Sequence, residues 1–127
     1  MNSKPQSLRH VRLLLARESG HPDGDSAHGY DLVLPLGEGG RLDAEEFKRV
    51  RDLCRVRRFR PGENDAIGKI VHGPGGLWKF DYADADTSDD EAGFRFGDER
   101  FVTGEYVSVR EDDGEMHTFV VVQVNGV

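Results

Sequence analysis

The sequence predicts a mainly β protein, either a small antiparallel β-barrel or a strongly curved sheet of seven to eight strands, with one α-helix at about residues 43–53. Apolar residues recur at every second position over much of the chain, which is the period of a strand with one buried face. Short glycine-containing segments separate these runs, and short connections favour antiparallel neighbours. Closure of the sheet would remove its exposed edges. A β-sandwich is the alternative architecture.

The first two strands are predicted from alternating apolar residues in the first third of the chain. The alternating positions are Val11, Leu13 and Leu15 in the first run and Tyr30, Leu32, Leu34 and Leu36 in the second. Asp31 would point to the opposite face of the second strand. Residues 1–7 are polar and include a proline, so we expect them to be flexible and the domain to span residues 8–127.

The predicted helix follows the second strand. Asp43 can cap its N-terminus, and Glu46 stands three residues later, which is the spacing of a capping box. Phe47, Val50 and either Leu53 or Cys54 supply one apolar face at helical spacing. We expect the helix to end before the segment RVRRFRPGE, because proline and glycine there cannot continue it.

The rest of the chain is predicted to be β. Residues 66–82 have the pattern of a hairpin with a glycine-rich turn. Residues 106–110 and 116–124 form a second hairpin around an Asp-Gly turn. Two shorter strands are predicted at residues 94–97 and 100–102.

Composition limits the classes of function. The formal net charge of −7 disfavours general binding to DNA or to anionic membranes. Cys54 is the single cysteine, which excludes an intrachain disulfide and favours a reducing compartment. The apolar run at residues 13–16 lies between two arginines and is too short for a signal peptide or a membrane span. We therefore expect a cytoplasmic protein.

A local block of positive charge is the first candidate site. The segment KRVRDLCRVRRFR, residues 48–60, holds seven of the 17 Lys and Arg residues: Lys48, Arg49, Arg51, Arg55, Arg57, Arg58 and Arg60. Such a block can bind an anionic ligand or an acidic partner, because guanidinium groups pair with carboxylates and phosphates. In the alternative interpretation the acidic segment 81–91 neutralises it within the fold. Nucleic acid is not the expected partner, because no recognition motif accompanies the block.

The loop HPDGDSAHGYD is the second candidate. His21, Asp23, Asp25 and His28 are acceptable ligands for a divalent metal ion. However, the spacing departs from the calcium-loop pattern and from the zinc motifs, and Pro and Gly within it are typical of a turn-rich connection. The loop therefore predicts a connection first and a metal site only as an alternative, and we expect no cofactor.

Three residues in predicted strands form the third candidate. If the barrel encloses a cavity, Trp78, Tyr82 and His117 would line it and provide a small-molecule site. In the alternative interpretation they are core and hydrogen-bonded structural residues. The sequence contains no nucleophile elbow G-x-S-x-G, so no residue is assigned a catalytic role.

Three stretches of the chain carry a resemblance. They are GHPDGDSAHGYDLVLPL, RRFRPGENDAIGKIVHGPGG and EAGFRFGDERFVTGEYVSVREDDGEMHTFVV. Together they resemble a family of short α-proteobacterial proteins without an assigned function, which implies a stand-alone bacterial cytoplasmic domain. Separately, GEYVSVREDDGEMHTFVVVQV is similar to the C-terminal strands of SH3-like and Sm-like small barrels. A likeness of fold carries no function.

These observations favour a non-catalytic β-barrel module that binds an anionic or macromolecular partner through segment 48–60. One alternative is a metal-dependent or small-molecule enzyme that uses loop 21–31. Another is a structural or regulatory domain that forms a homo-oligomer through an exposed edge strand. These alternatives differ in which side chains lie close together in the folded protein.

Overall fold

The computed structural model describes residues 7–18, 20–73, 77–82, 91–93 and 96–127, with the backbone alone for residues 91–93. The strands are β1 (Leu8–Leu15), β2 (Asp25–Pro35), β3 (Arg55–Phe59), β4 (Ala66–His72), β5 (Trp78–Tyr82), β6 (Glu91–Gly93), β7 (Tyr106–Arg110) and β8 (Met116–Gly126). One α-helix, α1 (Ala44–Val50), follows β2, and short 3-10 turns cover Glu38–Gly40 and Arg51–Leu53. The predicted mainly β fold with one short helix is therefore confirmed.

The strands form a closed antiparallel barrel in which each strand pairs with its neighbours in sequence. β1 pairs with β2 on one side and with β8 on the other, and this second pairing closes the barrel. The contact between β6 and β7 is the thinnest, with the single pair Ala92 and Arg110. Since β1 has a neighbour on both sides, it offers no free edge for pairing with a second copy.

The core lies inside the barrel and is built from the alternating residues that the sequence predicts. Its largest fully buried side chains include Trp78, Tyr30, Phe80, Phe96, Phe101 and Phe119. Tyr30 packs edge-on against Phe119, with ring centroids 5.1 Å apart. Such tilted aromatic contacts contribute beyond the area that they bury.

The helix α1 covers one end of the barrel. Asp43 caps it as predicted, because its Oδ1 accepts a hydrogen bond from the Glu46 backbone N–H at 3.0 Å. Phe47 and Val50 are buried beneath the helix. The Phe47 ring packs edge-on against the Trp78 ring, with centroids 4.8 Å apart, and the His72 ring stacks on the Trp78 ring at 3.8 Å. Phe47 thus fixes the helix to the barrel core.

Three expectations about local structure need correction or comment. Of the predicted strand at residues 94–97, residues 94 and 95 lie outside the described residues, and Phe96 and Gly97 lie in a turn. Residues 100–102 are not a strand: Arg100 makes one isolated bridge with Arg41, and Phe101 donates its backbone N–H to Gly40. This segment packs against the connection between β2 and α1 instead of joining a ladder. Within the predicted flexible segment 1–7, Ser7 accepts a hydrogen bond from the Leu36 backbone N–H, and residues 1–6 lie outside the described residues. No helix among the described residues is long and apolar enough to cross a bilayer.

Candidate functional site: the outer face of β1 to β4

The basic segment 48–60 does not form one continuous patch. Lys48 and Arg49 lie on α1 and pair with Glu45 at 3.0 Å and Glu46 at 3.4 Å, and Arg51 is exposed in the 3-10 turn that follows. The remaining four arginines belong to β3 or follow it directly. Because side chains alternate along a strand, Arg55 and Arg57 point outward, whereas Arg58 points into the barrel.

Arg58 and Arg60 are held at the end of the barrel opposite α1. Arg60 pairs with Asp112 at 3.0 Å and with Glu111 at 3.2 Å. Arg58 lies 3.6 Å from Asp112, and its guanidinium covers the Tyr82 ring at 4.9 Å. These two arginines therefore serve the fold. The acidic residues 83–90, which the sequence suggested as internal partners of the basic segment, lie outside the described residues.

Glu111 is the centre of this polar cluster and is almost completely buried. Its Oε2 lies 2.9 Å from His28 Nε2 and accepts a hydrogen bond from the Tyr30 hydroxyl. Burial alone would raise the pKa of Glu111, but the hydrogen bonds from His28 and Tyr30 and the charges of His28 and Arg60 outweigh it and lower the pKa to about 2. Glu111 is thus a buried, paired carboxylate that is ionised at neutral pH.

His117 extends the cluster toward the β7–β8 hairpin. Its Nδ1 lies 3.0 Å from both Glu18 carboxylate oxygens, and its Nε2 lies 2.8 Å from Asp113 Oδ2. Burial would lower the pKa of His117, but the hydrogen bonds to Asp113 and Glu18 and the charges of Glu111 and Glu18 raise the pKa to about 9. Every side chain of the cluster is engaged by another, so the cluster works as an ionic closure of the barrel end.

The four metal-ligand candidates in loop 21–31 separate in the structure. His21 is exposed and pairs through its backbone with Glu18, while the Asp25 carboxylate accepts the Ala27 N–H at 2.9 Å. His28 turns inward to Glu111, and Asp23 is exposed. Within the described residues, the group of ligand atoms close enough to hold a metal ion is Asp113, Glu115 and His117, and it contains none of the four.

The three cavity candidates lie at two different ends of the barrel. Trp78 is in the aromatic contact with Phe47 and His72 under α1. Tyr82 lies beneath Arg58 and His117 contacts Glu18, both at the opposite end. The side chains therefore do not converge on one another.

The outer face of β1 to β3 carries a cationic cluster around one carboxylate. Arg12, Asp31 and Arg57 are cross-strand neighbours in a single row. Asp31 accepts hydrogen bonds from Arg12 at 3.2 Å and from Arg57 Nε at 3.1 Å, and His10 Nε2 lies 3.1 Å away. The hydrogen bonds that Arg57 donates to Asp31 raise the pKa of Arg57. Asp65 contacts Arg57 from the other side at 3.3 Å, so this guanidinium is fixed on both sides.

An aromatic ring supports the same row. Phe59 lies opposite Gly29 in the β2–β3 pairing, and a Cβ on Gly29 would stand 2.8 Å from the Phe59 Cζ. The Arg12 guanidinium lies 4.6 Å from the centroid of the Phe59 ring, and that of Arg57 lies 5.8 Å from it. The absence of a side chain at residue 29 lets Phe59 lie close to β2, where it supports both arginines.

Next to this row, two cations face each other, and the neighbour of Lys69 on its other side, on β5, is Asp81. Arg55 and Lys69 are directly opposite on β3 and β4 and both are exposed. Among the residues that the structure describes, neither takes part in an ion pair. Like charges at directly opposite positions of a sheet are destabilising. We call the surface of His10, Arg12, Asp31, Arg55, Arg57 and Lys69 the basic outer face.

A shallow groove of about 210 Å³ lies on this face. Val33 and Ile67 supply its apolar side chains, because the side chain of Val56 is buried in the core, and its polar lining is His10, Asp31, Arg55 and Arg57. Ile67 is 59% exposed, the largest exposed fraction of any aliphatic side chain in the described strands. The groove therefore combines two apolar side chains with a polar lining in which the cations outnumber the one carboxylate.

Comparison of the chain with protein-family models, curated proteins and solved structures finds no match. The resemblances noted from the sequence remain predictions.

Sequence reasoning found Arg55 and Arg57 but missed the residues that join them across strands. Lys69, Arg12 and Asp31 belong to other strands and meet β3 through register alone. The available signal was the alternation of each strand, which places all three on the outward side. Glu111 was missed for a related reason: it continues the inward positions Val107 and Val109 past the end of β7.

Proposed function

We propose that this protein is a non-catalytic binding module that recognises an anionic partner through its basic outer face. The observation that carries the proposal is the pair Arg55 and Lys69, opposite each other and without ion-pair partners among the described residues. The arrangement costs stability, and a sequence with 24 acidic residues had carboxylates to place there. A bound anion would remove that repulsion, which is a reason for the pair to persist.

The surroundings support the same proposal. The basic outer face carries four Lys and Arg side chains and one carboxylate, Asp31, with Asp65 beside Arg57 and Asp81 opposite Lys69, in a chain where acidic residues outnumber basic ones. Asp31 is already engaged by Arg12 and Arg57. The charges available to a ligand are therefore those of Arg55 and Lys69. The free, buried Cys54 agrees with a reducing compartment, and we place the module in the cytoplasm.

The test is binding of a fluorescein-labelled hexaglutamate peptide, followed by anisotropy at low ionic strength. The double variant Arg55→Ala/Lys69→Ala should weaken binding about 3- to 30-fold, because two exposed ion pairs are lost. Added NaCl should weaken binding to the unmodified protein and have less effect on the variant.

The matched control is Lys48→Ala/Arg49→Ala. It also removes one lysine and one arginine, so the net charge changes equally, but these residues lie on α1 and already pair with Glu45 and Glu46. This variant should bind within about twofold of the unmodified protein. An equal loss in both double variants would show that only net charge matters and would reject the basic outer face as the site.

A further inference from the structure

The groove on the basic outer face indicates what kind of anion fits. Val33 on β2 and Ile67 on β4 lie on either side of the outward positions of β3, and Val56 lies on β3 between them. The exposed part of Ile67 can gain favourable burial from an apolar group placed beside it. An anion that carries no apolar group leaves this surface in water.

The size of the groove limits the occupant. Sites for small molecules and cofactors typically measure roughly 300–1,000 Å³. The groove measures about 210 Å³ and is open, so it encloses only part of any ligand of that size. One amino-acid side chain on a larger partner is the better match.

The cations at the groove differ in what they offer to a carboxylate. Arg57 is fixed by Asp31 and Asp65, so it forms a rigid wall with little entropy left to lose. Arg55 lines the groove and Lys69 is its cross-strand neighbour on β4, and both are exposed and carry no ion pair among the described residues.

We propose that the groove receives one apolar side chain of an acidic peptide segment on a partner protein, while the flanking carboxylates of that segment pair with Arg55 and Lys69. This inference rests on the proposed function and adds the class of partner. The apolar side chain supplies affinity and position, and the carboxylates supply charge complementarity.

A short acidic segment also suits the rest of the molecule better than a nucleic acid does. The chain carries a net charge of −7, and the basic outer face has only a few Lys and Arg residues, on β1, β3 and β4. A nucleic acid would extend its phosphates beyond this face, and the net negative charge of the molecule opposes its approach. A segment with a few carboxylates stays within the patch.

The experiment compares two labelled pentapeptides, Glu-Glu-Leu-Glu-Glu and Glu-Glu-Ala-Glu-Glu, on the full chain. The leucine peptide should bind about 3- to 10-fold more tightly, because part of its side chain leaves water. Ile67→Ala should reduce this ratio to less than about twofold. The matched control is Val71→Ala, which truncates another exposed aliphatic residue on the outer face of β4 outside the groove and should leave the ratio unchanged.

The outcomes separate the two proposals. Equal affinity for both peptides, with binding still weakened by Arg55→Ala/Lys69→Ala, would overturn the groove inference and leave the proposed function standing. Peptide binding that is unchanged in Arg55→Ala/Lys69→Ala would overturn both proposals. A labelled oligothymidylate that binds more tightly than the leucine peptide would overturn the assignment to a peptide partner. Circular dichroism melts of Ile67→Ala and Val71→Ala confirm that both variants are folded.

Discussion

His28 Nε2 lies 2.9 Å from Glu111 Oε2, although the two residues are 83 positions apart in the chain. This contact joins the start of β2 to the end of β7 across the barrel interior. The Tyr30 hydroxyl and Arg60 bind the same carboxylate. Among the described residues, a buried ionic network therefore lies at the end of the barrel that α1 does not cover.

Glu111→Gln should be strongly destabilising. The change removes the negative charge that Arg60 contacts and leaves that guanidinium, which is 12% exposed, without its buried carboxylate. Breaking a buried ion pair from one side typically costs about 3–5 kcal/mol. Urea denaturation should show this loss in the free energy of unfolding.

The control for that variant is Asp112→Asn. Asp112 also pairs with Arg60, but its side chain is 33% exposed, so water can replace the lost contact. We expect a loss of less than about 1 kcal/mol. If both variants lose the same stability, burial of Glu111 is not the reason for its effect.

Stability should fall at alkaline pH because of His117. Its pKa is raised to about 9 in the folded protein by Asp113, Glu18 and Glu111, whereas an unfolded histidine titrates near its ordinary value of 6.5. A raised pKa gives stability that is fully present below pH 6.5 and is lost as the pH rises from 6.5 to 9. The loss should be on the order of 2 kcal/mol.

Urea denaturation at a series of pH values measures this dependence. In His117→Gln the decline between pH 6.5 and 9 should disappear, and the variant should be less stable than the unmodified protein at pH 6. The lowered pKa of Glu111 has the opposite effect on the pH dependence of stability. Its contribution is present above about pH 4.5 and is lost as the pH falls from 4.5 to 2. A flat profile from pH 6.5 to 9 in the unmodified protein would contradict the role of His117.

Gly29→Ala should destabilise the barrel. The added Cβ would stand 2.0 Å from the Leu13 carbonyl oxygen and 2.8 Å from the Phe59 Cζ, so the β1–β2 pairing or the ring must move. Overpacking of this kind costs about 1–3 kcal/mol. Gly73→Ala is the control, because the nearest atom to its Cβ would be at 3.7 Å, and its melting temperature should be close to that of the unmodified protein.

The fold was predictable where local pattern and tertiary structure agree. The Asp43 cap, the apolar face of α1 and the hairpins at β4–β5 and β7–β8 all have short-range signals. The prediction of a strand at residues 100–102 was wrong because Phe101 is buried in a loop that contacts Gly40, and such a contact has no periodic signature.

The sites were less predictable because they depend on register. β3 was hidden inside the basic segment: its inward position 58 holds an arginine, so the strand lacks the apolar alternation used to find the others. That Arg55 faces Lys69 follows only from the pairing of β3 with β4. When the inward positions of a strand hold charged residues, the strand can be recognised from sequence only if the residues that pair with them are known. Here those residues are Glu111 and Asp112.

Arg55→Glu should increase stability and abolish binding of acidic peptides. The new carboxylate would face Lys69, so a repulsive cross-strand pair becomes an attractive one. Cross-strand pairs of this kind differ by roughly 0.2–1 kcal/mol, which urea denaturation at low ionic strength can resolve. The same change places a negative charge where the proposed ligand carries its own.

Lys79→Glu is the matched control for this prediction. It changes the net charge equally and lies exposed on the outer face of β5, but its partner on β4 is Val71 and not a cation. It should therefore give no gain in stability and weaken peptide binding less than Arg55→Glu does. A gain in stability from both variants would show that the overall charge, and not the pair of Arg55 and Lys69, limits stability. A gain confined to Arg55→Glu, together with lost binding, would mean that this pair is retained at a cost to the fold because a ligand uses it.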